Sequence, residues 1–260
     1  MTQTKETLSS NSLFHFTNSA ERLIGILKHT FKPRYCLEDL KMFQTFDDDD
    51  SHDELAIPMV CFCDIPLSKI KTHLTFYGNY GIGLTKEWGI KNGVSPLLYV
   101  DSTSETTKSI RNIFAEYHRS STEHKAIWEM GKQVMRFLRF TKPYEGKFWR
   151  NGEYLQGIRF YDEREWRFVP EVKGEDNLTP WIIKEDYLDD IKRSELNEVL
   201  AEKYTLHFEP SDIKYIIVEN EDQILSIIRA VERIKNRFDR ETIKKLTSRI
   251  LTKQQMIEDF

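Results

Sequence analysis

The sequence predicts an α+β fold in which a mixed β-sheet is interrupted by a helical insertion and followed by C-terminal helices. Short runs rich in β-branched and aromatic residues indicate strands. The stretch 104–139 changes to apolar residues three and four apart, which indicates helices, and the same spacing returns in 184–200 and after residue 220. The predicted strands cover residues 13–17, 59–63, 81–84, 97–100, 164–169 and 213–218.

The length and charge of the chain limit the class of protein. Its 260 residues are enough for one large domain, which we expect over 1–220 with the helical insertion 104–139, and 221–260 would form a helical appendage. A net charge of −4 and the lack of a basic helix argue against a nucleic-acid partner, and no apolar run approaches the roughly 18 residues of a membrane span. Three cysteines without a disulfide pattern and no apolar signal segment predict a cytoplasmic protein.

The first predicted strand, Leu13–Thr17, leads directly into a predicted helix. Asn18 is predicted to cap this helix, with Glu21 three residues later completing a capping box. This arrangement brings His15 and Thr17 near a helix N-terminus, a position suited to a phosphate. The alternative is that His15 only supports the start of the helix.

Residues 32–58 are predicted to be irregular, and no metal site is expected in them. The acidic run 47–54 lacks the glycine and the spaced ligands of a calcium loop, so a solvated loop is the simpler interpretation. Cys61 and Cys63 follow within a predicted strand. A single Cys-x-Cys without a second pair of ligands favours buried thiols over zinc.

The segment 76–84 is rich in glycine and aromatic residues but is not a P-loop, because no Gly-Lys-Ser/Thr follows it. Its glycines would let the backbone approach a ligand, with Tyr77 and Tyr80 as stacking surfaces. A tight connection between strands, with the two tyrosines filling the core, is the alternative.

The segment Phe160–Pro170 is predicted to be a strand with an unusual row of charges on one face, formed by Glu163, Glu165 and Arg167. When two carboxylates lie side by side, the pKa of one of them is raised, and a neighbouring arginine lowers it again. The row fits a solvated sheet face. It also fits a functional site, because the flanking aromatic residues indicate a strand beside the core, where an unpaired carboxylate is costly.

Four of these segments resemble, in order and spacing, the AbiGi family of abortive phage-resistance proteins. They are LFHFT (13–17), CFCDIPL (61–67), YGNYGIGL (77–84) with KEW (86–88), and EREWRFVP (163–170). The resemblance implies the antitoxin-like half of a two-gene defence system, with the other gene's product as its partner. The helices in 104–139 and 221–250 would then supply the docking faces.

The same segments resemble more distantly the ADP-ribosyltransferases, with Tyr-Gly-x-Tyr-Gly in place of the usual Ser-Thr-Ser motif. That resemblance implies an ADP-ribosyltransferase-like sheet and NAD as cofactor. His15 would hold the NAD ribose, Thr17 would also bind the cofactor, and Tyr77 or Tyr80 would hold the nicotinamide. Glu165 would stabilise the oxocarbenium-like transition state while Glu163 orients the acceptor. Arg167 or Arg34 would contact a phosphate. A non-enzymatic antitoxin that restrains a toxin is the competing hypothesis.

Overall fold

The structure is a computed structural model that describes residues 9–43, 53–120, 125–150, 152–173 and 177–259. It confirms the predicted α+β class. The strands are β1 (Ser12–Thr17), β2 (Arg34–Asp39), β3 (Glu54–Cys63), β4 (Tyr80–Thr85), β5 (Ser95–Pro96), β6 (Leu98–Val100), β7 (Thr141–Pro143), β8 (Gly146–Arg150), β9 (Glu153–Ile158), β10 (Glu165–Phe168), β11 (Ile182–Ile183), β12 (Ile213–Val218) and β13 (Ile250–Thr252). The α-helices are α1 (Ala20–His29), α2 (Lys71–Tyr77), α3 (Lys86–Lys91), α4 (Glu105–Ser120), α5 (Lys125–Leu138), α6 (Lys184–Leu188), α7 (Asp190–Lys203), α8 (Ile224–Ile234), α9 (Arg240–Thr247) and α10 (Lys253–Asp259).

Contacts between residues divide the chain into two compact units. The first comprises the described residues within 1–31, 61–94 and 206–260, and the second those within 32–60 and 95–205. Strand β3 begins in the second unit and ends in the first. The predicted division into a domain over 1–220 and an appendage over 221–260 stays a prediction. None of the described helices is long and apolar enough to cross a membrane.

The first unit is built on a sheet in which β12 and β1 lie on either side of β4, both antiparallel to it. Phe14 and Phe16 of β1 lie opposite Gly83 and Gly81 of β4. A Cβ atom at Gly83 would lie 2.7 Å from the Phe14 ring, and one at Gly81 would lie 2.8 Å from the Phe16 ring. The two glycines of this segment therefore make room for aromatic rings of the neighbouring strand.

The outer strand β13 pairs parallel with β12. A buried core in this unit is formed by side chains from β1, β3, β12, α2, α10 and the segment between β3 and α2, namely Phe14, Cys63, Ile65, Ile70, Leu74, Ile217 and Met256. Burying each large apolar side chain contributes about 1.5–3 kcal/mol, so this core stabilises the strand order.

The second unit is organised around the first half of β3. Strand β2 pairs antiparallel with β3 over six residues, and β11 also pairs antiparallel with it. The helices α4 and α5 connect β6 to β7, which are parallel partners, so the predicted helical insertion is a crossover connection. A buried cluster of Tyr35, Ala56, Leu178, Ile182 and Leu200 forms the core between β2, β3 and α7.

Several predicted boundaries are wrong. The first helix is capped by Ser19, whose side chain accepts a hydrogen bond from the Arg22 amide, and not by Asn18. The irregular stretch predicted over 32–58 contains β2 and most of β3. Ile250, predicted to continue the last helix, lies in β13, which completes the sheet beside β12. The acidic residues 47–52 lie outside the described residues.

The segment that begins at Phe160 is also different from the predicted strand. Residues Phe160–Glu163 form a turn of 3₁₀ helix, and Arg164 ends it with a left-handed backbone at φ 45°. This conformation breaks the alternation, so the strand begins only at Glu165. Glu163 therefore does not extend the strand row that Glu165 and Arg167 form.

Candidate functional site

A buried ion cluster lies in the second unit, formed by Glu38, Lys142, Glu163, Glu165 and Arg167. Arg167 Nε lies 2.7 Å from Glu165 Oε1, and its Nη2 lies 3.0 Å from Glu38 Oε2. Lys142 Nζ lies 2.9 Å from Glu165 Oε2 and 3.0 Å from Glu163 Oε2. Three carboxylates thus share two cations within hydrogen-bonding distance.

Local structure explains why these side chains meet. Glu165 and Arg167 are two residues apart in β10 and so point to the same side of the sheet. The 3₁₀ turn brings Glu163 back towards the same lysine, although it lies outside the strand. Lys142 comes from β7, and Glu38 from β2. Four separate segments are therefore joined by one set of charges.

The cluster is almost completely excluded from water. The Arg167 side chain is fully buried, and those of Lys142 and Glu165 are each 7% exposed. Arg167 also donates from Nη1 to the Arg139 carbonyl oxygen at 3.0 Å. Burial alone would lower the pKa of Lys142, but the three surrounding carboxylates raise it well above its ordinary value. Lys142 is consequently charged at neutral pH.

Neighbouring groups respond to the same charges. Burial, followed by the nearby Glu38 carboxylate, raises the pKa of the Cys36 thiol to about 12, which makes it an unreactive thiol. Burial and Glu165 likewise raise the pKa of Tyr99, whose hydroxyl accepts a hydrogen bond from the Glu165 amide at 2.8 Å. None of Cys36, Cys61 and Cys63 is in a disulfide bond.

A second polar group lies close by in the same unit. The Tyr154 hydroxyl lies 2.5 and 2.6 Å from the two carboxylate oxygens of Glu54, and Lys184 Nζ lies 2.6 Å from the same carboxylate. Burial, and then the hydrogen bond to Glu54, raises the pKa of Tyr154. The phenol therefore stays protonated and donates to the carboxylate.

The cavity beside these groups is small. Its volume of about 20 Å³ suits one water molecule rather than an organic ligand. It is lined by Leu37, Glu38, Asp39, Glu54, Lys142, Pro143, Lys147, Phe148, Trp149 and Phe160. No group of His, Cys, Asp and Glu side chains suited to a metal ion occurs in the part of the chain that the structure describes.

The predicted catalytic carboxylates are both in the cluster. Oε1 of Glu165 faces Arg167, and Oε2 lies 2.9 Å from Lys142 and 3.3 Å from Arg167 Nη2. Both oxygens therefore already contact cations, so Glu165 pairs with Arg167 and Lys142. Glu163 shares Lys142 with Glu165. This arrangement links β10 to β2 and β7 through buried charge pairs.

His15, predicted to hold the NAD ribose, and Thr17, predicted to bind the cofactor, both lie in the first unit. His15 Nδ1 lies 2.8 Å from the Cys61 carbonyl oxygen, and the ring packs edge-on against Phe31 and Phe62. Burial lowers the pKa of His15, so the neutral ring donates from Nδ1 to that carbonyl. Thr17 is buried at the end of β1.

Tyr77 and Tyr80 also lie in the first unit. Tyr77 ends α2, and its ring lies 5.7 Å from the His73 ring between centroids. Tyr80 is buried at the start of β4, where its hydroxyl donates to Glu219 at 3.1 Å and accepts from Gln223 at 2.7 Å. Both tyrosines therefore make contacts within the first unit, and their role in holding nicotinamide stays a prediction.

Arg34, the other predicted phosphate contact, lies exposed at the start of β2 in the second unit. It lines an open groove of about 450 Å³ together with Lys32 and one polar stripe of α7. The Asn197 side chain in this groove accepts a hydrogen bond from the Tyr35 amide at 2.9 Å.

Lys142, Glu38 and the Glu54–Tyr154–Lys184 group are not among the site residues predicted from the sequence. Only one local signal points to any of them. Asn151-Gly152 is the dipeptide that favours a two-residue hairpin, and the β8–β9 hairpin pairs Arg150 with Glu153 around it. That hairpin carries Tyr154 to Glu54.

The fold and the cluster together define an α+β protein whose second unit is held by buried charge pairs. Comparison with known proteins then gives the family: the chain belongs to the AbiGi family. The family model described as "Putative abortive phage resistance protein AbiGi, antitoxin" matches residues 29–219. The chain is also 30% identical over 252 residues to "Abortive phage resistance protein AbiGi" of Lactococcus lactis subsp. cremoris, a match that covers 88% of this chain and 99% of that protein. No solved structure matches the chain.

Proposed function

We propose that this protein is the antitoxin of a two-gene abortive-infection system and acts by binding its partner toxin, without turning over a substrate. The family description supports an anti-phage role. The state of Glu165 supports binding over catalysis, because both of its oxygens are held by Arg167 and Lys142. Three cysteines with no disulfide among them support the cytoplasm as the place of action.

One observation carries the assignment of the binding surface. Met130 and Phe137 are seven residues apart in α5, and so lie on the same side of the helix two turns apart. They are 48% and 44% exposed, and Ile113 of the adjacent α4 is 44% exposed. Large apolar side chains presented along a helix are the anchors that a helix-docking partner buries. The α4–α5 pair is therefore the proposed toxin-binding face.

The test is co-purification of the tagged protein with the product of the neighbouring gene. The double variant Met130→Asp/Phe137→Asp should lose the complex by at least tenfold in affinity and lose protection from phage-induced growth arrest. The matched control is Leu188→Asp/Ile191→Asp, which places the same charges on side chains that are 46% and 74% exposed elsewhere in the same unit. Equal loss in both double variants, or full binding by the first, would count against the α4–α5 face.

The NAD-consuming transferase suggested by sequence resemblance is the second candidate, and the adjacent placement of Glu163 and Glu165 at one lysine is the observation in its favour. It predicts release of nicotinamide from NAD by the purified protein, measured by chromatography. Turnover should be lost in Glu165→Gln protein that is still folded at the assay temperature. Absence of nicotinamide release at millimolar NAD, together with a stable toxin complex, would decide for the antitoxin.

A further inference from the structure

Two helices of the first unit concentrate positive charge in a protein that is acidic overall. The helix pair α8 and α9 with its connecting turn, residues 224–247, contains seven basic and three acidic residues, a net charge of +4. Because the whole chain carries −4, the remaining residues carry −8. This excess contradicts the expectation, drawn from the whole chain, that the protein has no basic helix. Averaging over the whole chain hides the local excess.

Four of these cations are exposed and form no ion pair among the described residues. Arg229 and Arg233 are four residues apart on α8, and Arg240 and Lys244 are four apart on α9. Residues with this spacing lie side by side on a helix. The other exposed cations of the pair do have partners: Arg237 lies 3.4 Å from Glu209, and Lys245 lies 2.7 Å from Glu241.

The unpaired cations are unfavourable for the isolated helices. Like charges four residues apart destabilise a helix, and both helices carry such a pair. A bound anionic partner with closely spaced charges would turn this repulsion between cations into a net attraction to the partner. Three of the four cations are arginines, whose planar guanidinium groups bind phosphate oxygens in pairs.

The apolar content of this surface distinguishes between kinds of partner. Leu225 is the one large apolar side chain of the helix pair that is exposed in the described structure. A protein interface needs a cluster of buried apolar anchors, whereas a phosphate backbone needs only positive charge and hydrogen-bond donors. The composition of the helix pair fits the second case.

We propose that the basic α8–α9 pair binds the phosphate backbone of nucleic acid, independently of base sequence. Arg229, Arg233, Arg240 and Lys244 each contact a phosphate. This activity is separate from the proposed toxin-binding face on α4–α5, and it would place the antitoxin on a nucleic-acid polymer during infection. DNA and RNA offer the same backbone chemistry, so the test includes both.

The experiment measures binding of the full-length protein to fluorescent 30-base-pair duplex DNA, duplex RNA and single-stranded RNA by anisotropy, from 50 to 200 mM NaCl. Four phosphate contacts predict a slope of about −3.6 for log K against log salt on duplex DNA, which is about a 150-fold loss of affinity over this range. The Arg229→Gln/Arg233→Gln variant removes two contacts. Its slope should fall to about −1.8, or a loss of about 12-fold.

The matched control is Lys69→Gln/Lys91→Gln, which changes the net charge equally at exposed lysines elsewhere in the first unit. Its affinity should stay within about threefold of the wild-type affinity, and its salt slope within about 0.5 of the wild-type slope. Thermal melts establish that each variant is folded, and Arg240→Gln/Lys244→Gln is the second variant should the first unfold. Absence of binding to all three probes at 50 mM NaCl would overturn the proposal. An equal loss of nucleic-acid affinity in the control would also overturn it. So would an α8–α9 variant that still binds nucleic acid but no longer binds the toxin.

Discussion

Replacing Arg167 with methionine tests whether the buried ion cluster is structural. Arg167 is fully buried and contacts Glu165, Glu38 and the Arg139 carbonyl oxygen. Methionine fills similar space but carries no charge. Three buried carboxylates would then face Lys142 as their remaining cation within the cluster.

The structure sets the size of the effect. Removing one partner of a buried pair leaves an uncompensated charge and costs about 3–5 kcal/mol. For a chain of this size, each kcal/mol shifts the melting temperature by about 2–4 °C, so the Arg167→Met variant should melt about 6–20 °C below the wild type. Arg22→Met, at an exposed position of α1, should change it by less than about 2 °C.

A double variant separates lost charge balance from lost packing. Arg167→Met/Glu165→Gln removes one of the orphaned carboxylates, so it should recover at least about 1 kcal/mol relative to Arg167→Met alone. Thermal melts followed by circular dichroism at pH 7 measure all four proteins. A melting temperature of Arg167→Met within 2 °C of the wild type would refute the argument, and so would a double variant less stable than Arg167→Met.

The remaining predictions concern the first unit. Gly78 has φ +118°, and a Cβ there would lie 2.3 Å from the Thr17 carbonyl oxygen, so Gly78→Ala should lower the free energy of unfolding by at least about 1–3 kcal/mol in a urea titration. Gly25→Ala, which meets nothing within 4 Å, should raise it by about 0.5–1 kcal/mol, and equal losses in both would contradict the steric argument. Burial lowers the pKa of His15 below its usual 6.5, so the unfolded chain takes up a proton that the folded chain does not. Stability should therefore fall as pH drops below about 6.5, and His15→Phe, although weakened by the lost bond to Cys61, should show a flatter dependence between pH 7 and 5.

Local pattern was enough where neighbouring residues decide the structure. The run Ile213–Val218 is rich in β-branched residues and forms β12 with the predicted bounds. The local pattern does not predict strand β2, because the charged residues Arg34, Glu38 and Asp39 are typical of a loop. The Glu38 carboxylate in this strand pairs with Arg167, which is 129 residues away in the chain. Tertiary pairing thus overrides composition at this strand.

The candidate site shows the same division. Glu165 and Arg167 share a strand face, so their pairing follows from a spacing of two residues. Lys142 belongs to no recognisable motif and follows the helical insertion. The folded chain places its Nζ 2.9 Å from Glu165 Oε2, which the local sequence does not indicate. The 3₁₀ turn before β10 ends at Arg164, whose backbone is left-handed. Glycine and asparagine are the usual residues in that conformation, so the sequence does not indicate the turn.

The order of segments along the chain has a consequence for synthesis. Every described part of the second unit lies within residues 32–205, inside the sequence limits of the first unit. When the ribosome has made these residues, β12 and β13 do not yet exist, and β4 has an open edge on that side. The following 55 residues take roughly 3–10 s to synthesise. During that time all residues of the second unit are present, whereas the first unit still lacks β12 and β13. An interrupted chain leaves β4 free to pair with another molecule, which favours aggregation over accumulation of a partly active protein.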